Sequence, residues 1–164
     1  MFPISRSLRG LALWLGVTYA AAGFGAISAF KAGPFYGELA RPDWAPPVAV
    51  FTPLWTVLYT LMGVAAWLVW CEGGFKKNRP ELLLYLTQLV FNVIWSWIFF
   101  SWHLGVQAFV DMVLLWLFIV MTWISFWRIR PLAGALFIPY VLWETFAVAL
   151  NYALWKMNPA LTGT

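Results

Sequence analysis

Five runs of apolar residues, each reaching the roughly 20 needed to cross a bilayer, fix the class of this chain before any single residue is considered. They lie at about 9–30, 51–71, 81–102, 104–127 and 131–156. Of the 164 residues, 63% are hydrophobic and 10% are charged. A soluble domain of this size carries about a quarter charged residues. The expected fold is therefore all-α and integral to the membrane, a five-helix transmembrane bundle forming a single domain over 1–164. The connections are short except for one long loop at 31–50.

The first run needs a separate check. Arg6 and Arg9, then LALWLGV, then small residues through Ala22 imitate a secretory signal peptide. Apolar and small residues continue to Phe30, however, which makes an uncleaved spanning helix the expectation. Gly16/Ala20, Ala21/Gly25 and Ala22/Ala26 sit at the four-residue spacing that allows close helix packing in lipid.

Charge sets the expected orientation. With five spans, Arg6, Arg9, Lys76, Lys77, Arg79, Arg128 and Arg130 share one face, against Lys31, Arg41 and Lys156 on the other. Cytoplasmic flanks carry the excess of Lys and Arg, so the N-terminus is expected in the cytoplasm of a bacterial-type membrane. The basic residues lie at helix ends and form no run longer than Lys76-Lys77, which argues against nucleic acid as a partner. Cys71 is the single cysteine, so internal disulfides and Cys-based metal clusters are excluded.

The long loop reads GPFYGELARPDWAPPVAVFTP into the second span. Pro42, Pro46 and Pro47 restrict themselves and the residues before them, so its second half is expected to be stiff and non-helical. A stiff loop bearing Trp44 over a bundle has the character of a lid. The loop after the second span, CEGGFKKNRP, reads as a solvated basic turn. The last two connections are very short, which makes the third, fourth and fifth spans antiparallel neighbours.

Polar side chains inside the spans are the functional candidates, because lipid offers them no partner. The third span carries Gln88, Asn92 and Ser96 on one stripe, with Trp95 and Phe99 alongside. The fourth puts Asp111, Phe118, Thr122 and Ser125 on one face and Trp116, Trp123 and Trp127 on the other. The fifth aligns Tyr140, Trp143, Glu144, Ala147 and Asn151, and the second opens with Pro53, Trp55 and Tyr59.

At about 1.5 Å per residue, Trp55 lies roughly 6 Å below the loop-side end of its helix, Asp111 and Asn151 about 10 Å, and Asn92 and Ala147 about 15 Å. All belong to the half of the membrane covered by the long loop. The expectation is an aromatic, amide-lined cavity open toward that side and suited to flat hydrophobic ligands. Asn92 and Asn151 also fit a plain role as hydrogen-bonding glue between helices. Asp111 fits a structural role, and Glu144, near the midplane, is either a neutral carboxyl or an ion-coupling group. Trp67, Trp70, Trp102 and Trp127 sit near helix ends and read as an interfacial belt.

Conventional catalytic chemistry finds no footing. His103 is the single histidine and has no set of ligands at metal spacing, so no metal site is expected. No nucleophile triad, phosphate-binding glycine loop or paired catalytic carboxylates occur.

The elements ARPDWAPP and FTPLWTVLYTLMG, then QLVFNVIWSWIFF, the Asp of AFVDMVLLWLF, and FIPYVLWETFAVALNYALWKMN occur in that order. Together they resemble the tryptophan-rich sensory protein/translocator protein (TspO/MBR) family, which includes the peripheral benzodiazepine receptor, over about residues 11–158. The resemblance implies a five-helix bundle that binds porphyrins, sterol-like lipids and benzodiazepine-type ligands. By position it assigns the ligand contacts to Trp55, Asn92 and Trp143, with Ala147 facing the cavity. It matches a sterol-recognition pattern to Leu150, Tyr152 and Lys156, and it makes homodimerisation an expected feature. Glu144 stands where the family pattern has an uncharged residue.

The expected ligand-binding set is thus Trp44, Trp55, Tyr59, Asn92, Trp95, Tyr140, Trp143, Ala147 and Asn151. The expected function is a receptor or carrier for porphyrins (tetrapyrroles) and related flat hydrophobic ligands such as sterols, with a stress-sensing or regulatory role and no obligatory cofactor. The alternative is an enzyme for light-dependent oxidative porphyrin breakdown, with Trp55 and Trp143 as its redox-active indoles.

Overall fold

The computed structural model describes residues 4–31 and 35–162, and among these there is no β-strand. Eight helices follow one another: α1 (Ile4–Lys31), α2 (Phe35–Glu38), α3 (Phe51–Cys71), α4 (Gly74–Lys77), α5 (Arg79–Ser96), α6 (Gly105–Ile129), α7 (Pro131–Met157) and α8 (Pro159–Thr162). Among the described residues, five segments are long and apolar enough to cross a membrane: Ser7–Phe30, Val48–Cys71, Arg79–Ser101, Gly105–Ile129 and Pro131–Met157. In lipid each backbone N–H and C=O has to be satisfied within the chain, and a helix does this residue by residue. The protein is an integral, multi-pass membrane protein.

Local sequence sets where the helices begin and end. Pro80 and Pro131 lie in the first turn of α5 and α7, where a missing N–H costs nothing. The last turn of α5 widens into a π-helical segment, Trp97–Ser101, and the chain then turns at His103, whose φ of 55° is left-handed. Only Arg130, in an extended conformation, separates α6 from α7. This tight hairpin depends on Gly134, where a Cβ would stand 2.8 Å from Trp127 Cα.

The five long helices close into a ring. Helix α1 packs against α3 and α5, α3 against α7, α7 against α6, and α6 back against α5. Inside the ring, Met62, Leu82, Tyr85, Leu115, Ile119, Phe126 and Phe137 form the main core. A second apolar cluster of Phe35, Leu39, Phe99, Ala108, Leu150 and Leu154 fills the end of the bundle beneath the long loop.

Three expectations are refined by the fold. The small-residue pairs of α1 do not act alike: Gly25 faces Ser96 inside the bundle, whereas Gly16 and Ala20 point outward and Gly16 touches nothing. Close approach comes instead from Gly63 of α3, where a Cβ would lie 2.8 Å from Leu15 Cδ2. The second half of the long loop is not wholly irregular, because Val48–Val50 form a 3₁₀ turn that runs straight into α3. Pro47, extended at φ −65° and ψ 148°, ends the stiff segment, and its carbonyl accepts the Val50 N–H at 3.0 Å. The basic loop after α3 also holds the short α4, anchored where Asn78 Nδ2 donates to Val69 O at 2.8 Å.

The hairpin gives a direct test. Gly134→Ala should destabilise the fold by about 1–3 kcal/mol, because the new methyl meets the backbone of Trp127 as well as its ring, so moving the ring alone gives no relief. Thermal unfolding in detergent, followed by circular dichroism, should show a lower midpoint than wild type.

Candidate functional site

Helix α3 begins beneath the long loop and presents Trp55 and Tyr59, one turn apart, to the interior of the ring. Trp55 packs on Tyr59 at 5.5 Å between ring centres and meets Tyr140 edge-on at 6.2 Å and Trp143 edge-on at 6.5 Å. Trp143 in turn touches Phe51 at 5.9 Å and Phe146 at 5.3 Å, and Phe146 receives the edge of Trp44 at 5.5 Å. A continuous aromatic ladder therefore runs from Trp44 in the loop, through Phe146 and Trp143, down to Trp55 and the two tyrosines. Offset and edge-on ring pairs of this kind each contribute about 0.5–1.5 kcal/mol beyond their buried area.

The foot of the ladder is polar. Tyr59 donates its hydroxyl proton to Asn92 Oδ1 at 2.6 Å, and Asn92 Nδ2 donates to the Tyr140 hydroxyl at 3.0 Å. Tyr140 passes its own proton to Gln88 Oε1 at 3.0 Å. Each donor is used once, so the four side chains form a single directed chain linking α3, α5 and α7. A separate bond ties in α1. Thr18 gives its proton to Trp14 O at 2.6 Å, so the 2.5 Å contact with Tyr85 is donated by the tyrosine.

The structure joins most of the residues expected from sequence, and it separates others. Trp44, Trp55, Tyr59, Tyr140 and Trp143 share the ladder, and Asn92 holds both tyrosines at its foot. Trp95 stacks on Phe99 at 5.4 Å in the second cluster, beneath the long loop, against which Phe51 and Phe146 of the ladder also pack. Ala147 and Asn151 continue the Trp143 side of α7 toward the loop, with Asn151 fully enclosed. The sterol-pattern residues divide between faces. Leu150 is buried, whereas Tyr152 is exposed and Lys156 lies outside with its ammonium 4.2 Å from the Trp155 ring centre. Within the expected cavity, Trp55 is in ring contact with Tyr59, Tyr140 and Trp143. A hollow of about 530 Å³ does open in the loop itself, between Leu39, Arg41 and Val48.

Several donors along the site have no partner among the described residues: Trp143 Nε1, Trp95 Nε1 and Gln88 Nε2 are all buried and unbonded. They are suited to an acceptor on a ligand, such as a carbonyl or carboxylate. In the loop, burial pushes the Tyr36 phenol up from its ordinary value, and Arg41 beside the ring opposes part of that shift. Tyr36 therefore stays protonated across the physiological range.

Sequence reasoning missed the feature that holds the loop. Asn158, just past α7, accepts the Ala40 N–H on Oδ1 at 2.7 Å and donates from Nδ2 to Ala40 O at 2.8 Å. The same Nδ2 reaches Leu154 O at 2.8 Å, which fixes the amide to its own helix end. His103 supports the neighbouring segment by stacking on Phe35 at 3.9 Å. A polar residue between the last span and Pro159 was the available signal. Phe51 and Phe146 were missed because single apolar residues in apolar helices carry none.

Replacing Asn158 with Ala should release two backbone bonds of the loop at about 1 kcal/mol each. Hydrogen exchange across residues 39–47 should accelerate by about tenfold or more, while exchange within α3 and α5 stays at the wild-type rate.

A five-span membrane protein with an aromatic, amide-footed interior beneath a proline-stiffened loop is the class that fold and site define. The TspO/MBR family model matches residues 12–156, and the chain belongs to that family. It is 38% identical over 161 residues to the tryptophan-rich protein TspO of Chlorobaculum tepidum, covering 95% of this chain and all of the relative. It is also 38% identical over 131 residues to the human translocator protein, covering 79% of this chain and 78% of the relative. The protein CrtK of Rhodobacter capsulatus is 37% identical over 133 residues, covering 79% of this chain and 82% of the relative.

Proposed function

We propose that this protein is a membrane receptor or carrier for porphyrins and related flat hydrophobic ligands, with a regulatory or stress-sensing role. The observation that carries the reading is the aromatic ladder from Trp44 to Trp55, ending on the Tyr59–Asn92–Tyr140–Gln88 chain. Parting the indoles of Trp55 and Trp143 would create a slot whose walls are π-faces. The unbonded N–H groups of Trp143 and Gln88 would meet the polar edge of the ligand. Family membership and relatives named as translocator and sensory proteins support the same role.

Trp55→Ala and Asn92→Ala should each weaken protoporphyrin IX binding by about 3- to 10-fold, the worth of one aromatic contact or one oriented hydrogen bond. Absorbance titration of the porphyrin in nanodiscs measures this, with circular dichroism reporting that the helices persist. Wild-type affinity in both variants would remove the site.

The edge-on pair of Trp55 and Trp143 favours a second reading, light-dependent oxidative breakdown of the bound porphyrin. Under illumination, porphyrin absorbance should then fall faster with wild type than with Trp143→Phe; equal loss leaves binding alone.

We also propose a bacterial-type membrane with the N-terminus in the cytoplasm, on the basis of the seven-to-three distribution of Lys and Arg. The ligand then enters from the loop side, and Trp44 closes behind it. Replacing residues 42–47 with a Gly/Ser linker should raise the porphyrin dissociation rate more than it alters association, read by stopped flow. In a Cys71→Ser background, a cysteine at position 44 should be labelled from outside the cell; labelling from the cytoplasm alone reverses the orientation.

A further inference from the structure

Two acids lie inside the ring with no base to answer them. Glu144, halfway along α7, is 1% exposed, and Asp111 on α6 is 7% exposed. Glu144 Oε2 and Asp111 Oδ2 have no hydrogen-bond partner among the described residues. The ion pair seen among those residues is Arg130 with Glu72, at the far end of the bundle. The basic residue of α7 nearest the acids, Lys156, is turned outward over Trp155.

A third group points the same way. Asn151 is 2% exposed, and its Oδ1 is also unbonded. Two helical turns separate it from Glu144 on one stripe of α7, with Ala147 and Val148 at the turn between them. The α6–α7 register is fixed by Phe109 against Tyr152 and by Trp116 Nε1 donating to Thr145 Oγ1 at 2.9 Å. That register sets Asp111 level with Asn151 across the helix interface. Tyr140 lies one turn before Glu144 on α7 and packs edge-on against Trp55, which in turn packs on Tyr59. Three buried, unbonded oxygens, from two acids and an amide, thus lie within about 10 Å of one another along the α6–α7 interface.

A carboxyl enclosed without a donor either keeps its own proton or waits for a cation, because low-dielectric surroundings punish an unpaired charge. From this arrangement we propose that the Asp111–Glu144–Asn151 slot binds an organic ammonium group carried on a hydrophobic body. A hard metal cation is the poorer occupant. It needs about six or more oxygens at close range, and these three are spread over two turns. An ammonium needs no such shell: it is held by opposite charge and by aromatic faces, which Tyr140, Trp143 and Tyr59 supply beside Glu144. The slot shares Tyr59, Tyr140 and Trp143 with the proposed porphyrin site and differs from it in its acceptors, which lie on α6 and α7.

The test compares two probes of one shape, (9-anthrylmethyl)trimethylammonium and its uncharged carbon analogue 9-neopentylanthracene, by fluorescence titration in nanodiscs. Wild type should bind the ammonium at least about tenfold tighter than the Asp111→Asn/Glu144→Gln double variant does, while the carbon analogue binds both proteins equally. Equal ammonium affinity in the two proteins would overturn the proposal, as would an equal loss of both probes, which would mean general damage to the bundle. Displacement of the ammonium from wild type by sodium chloride, beyond what magnesium chloride at equal ionic strength achieves, would reassign the slot to an alkali cation. Protoporphyrin IX titrated into separate nanodiscs of both proteins reads the porphyrin site; porphyrin binding without ammonium selectivity, or the reverse, tells the failure of one reading from that of the other.

Discussion

Lipid tails are as apolar as leucine, so nothing like the hydrophobic effect presses the helices of this bundle together. What distinguishes this arrangement of five greasy rods from others is shape and a small number of polar ties. The directed chain from Tyr59 through Asn92 and Tyr140 to Gln88 is the most consequential of these ties. It fixes the rotation of α3, α5 and α7 about their own axes, because each helix has to turn one particular face inward to make its bond. Once those rotations are set, Trp55 and Trp143 have no choice but to face one another, and the ladder of rings above them follows. The Tyr85–Thr18 contact does the same for α1.

The architecture was legible because its signal is one-dimensional. Apolar length and charge at the ends report spans directly, and the five expected segments match the observed ones apart from the widened end of α5 and the extra turn at Val48–Val50. The interior site was legible wherever a polar residue broke an apolar stripe, since such a residue declares which face is inward. Asn92 and Asn151 were found in this way, and both are buried. The surroundings of Trp95 were harder to read. It shares a helix with Asn92, but the sequence does not say how the end of α5 opens into a π turn, which carries Phe99 and the stack upon it toward the long loop. Phe146 and Asn158 were invisible for opposite reasons: one is an aromatic among many, and the other lies beyond the last span and acts on a loop more than a hundred residues away in sequence.

The attachment of the long loop has a consequence for which sequences can occupy it. Asn158 recognises Ala40 through that residue's N–H and C=O, not through its side chain. A carboxamide offers the same donor and acceptor that a neighbouring strand would offer, so the contact is blind to the identity of residue 40 as long as that residue is not proline. The loop's letters are thereby freed from the task of holding the loop down. Variation can accumulate in the segment that first meets incoming molecules while its anchorage persists, and the cost of that freedom rests on a single asparagine at the other end of the chain.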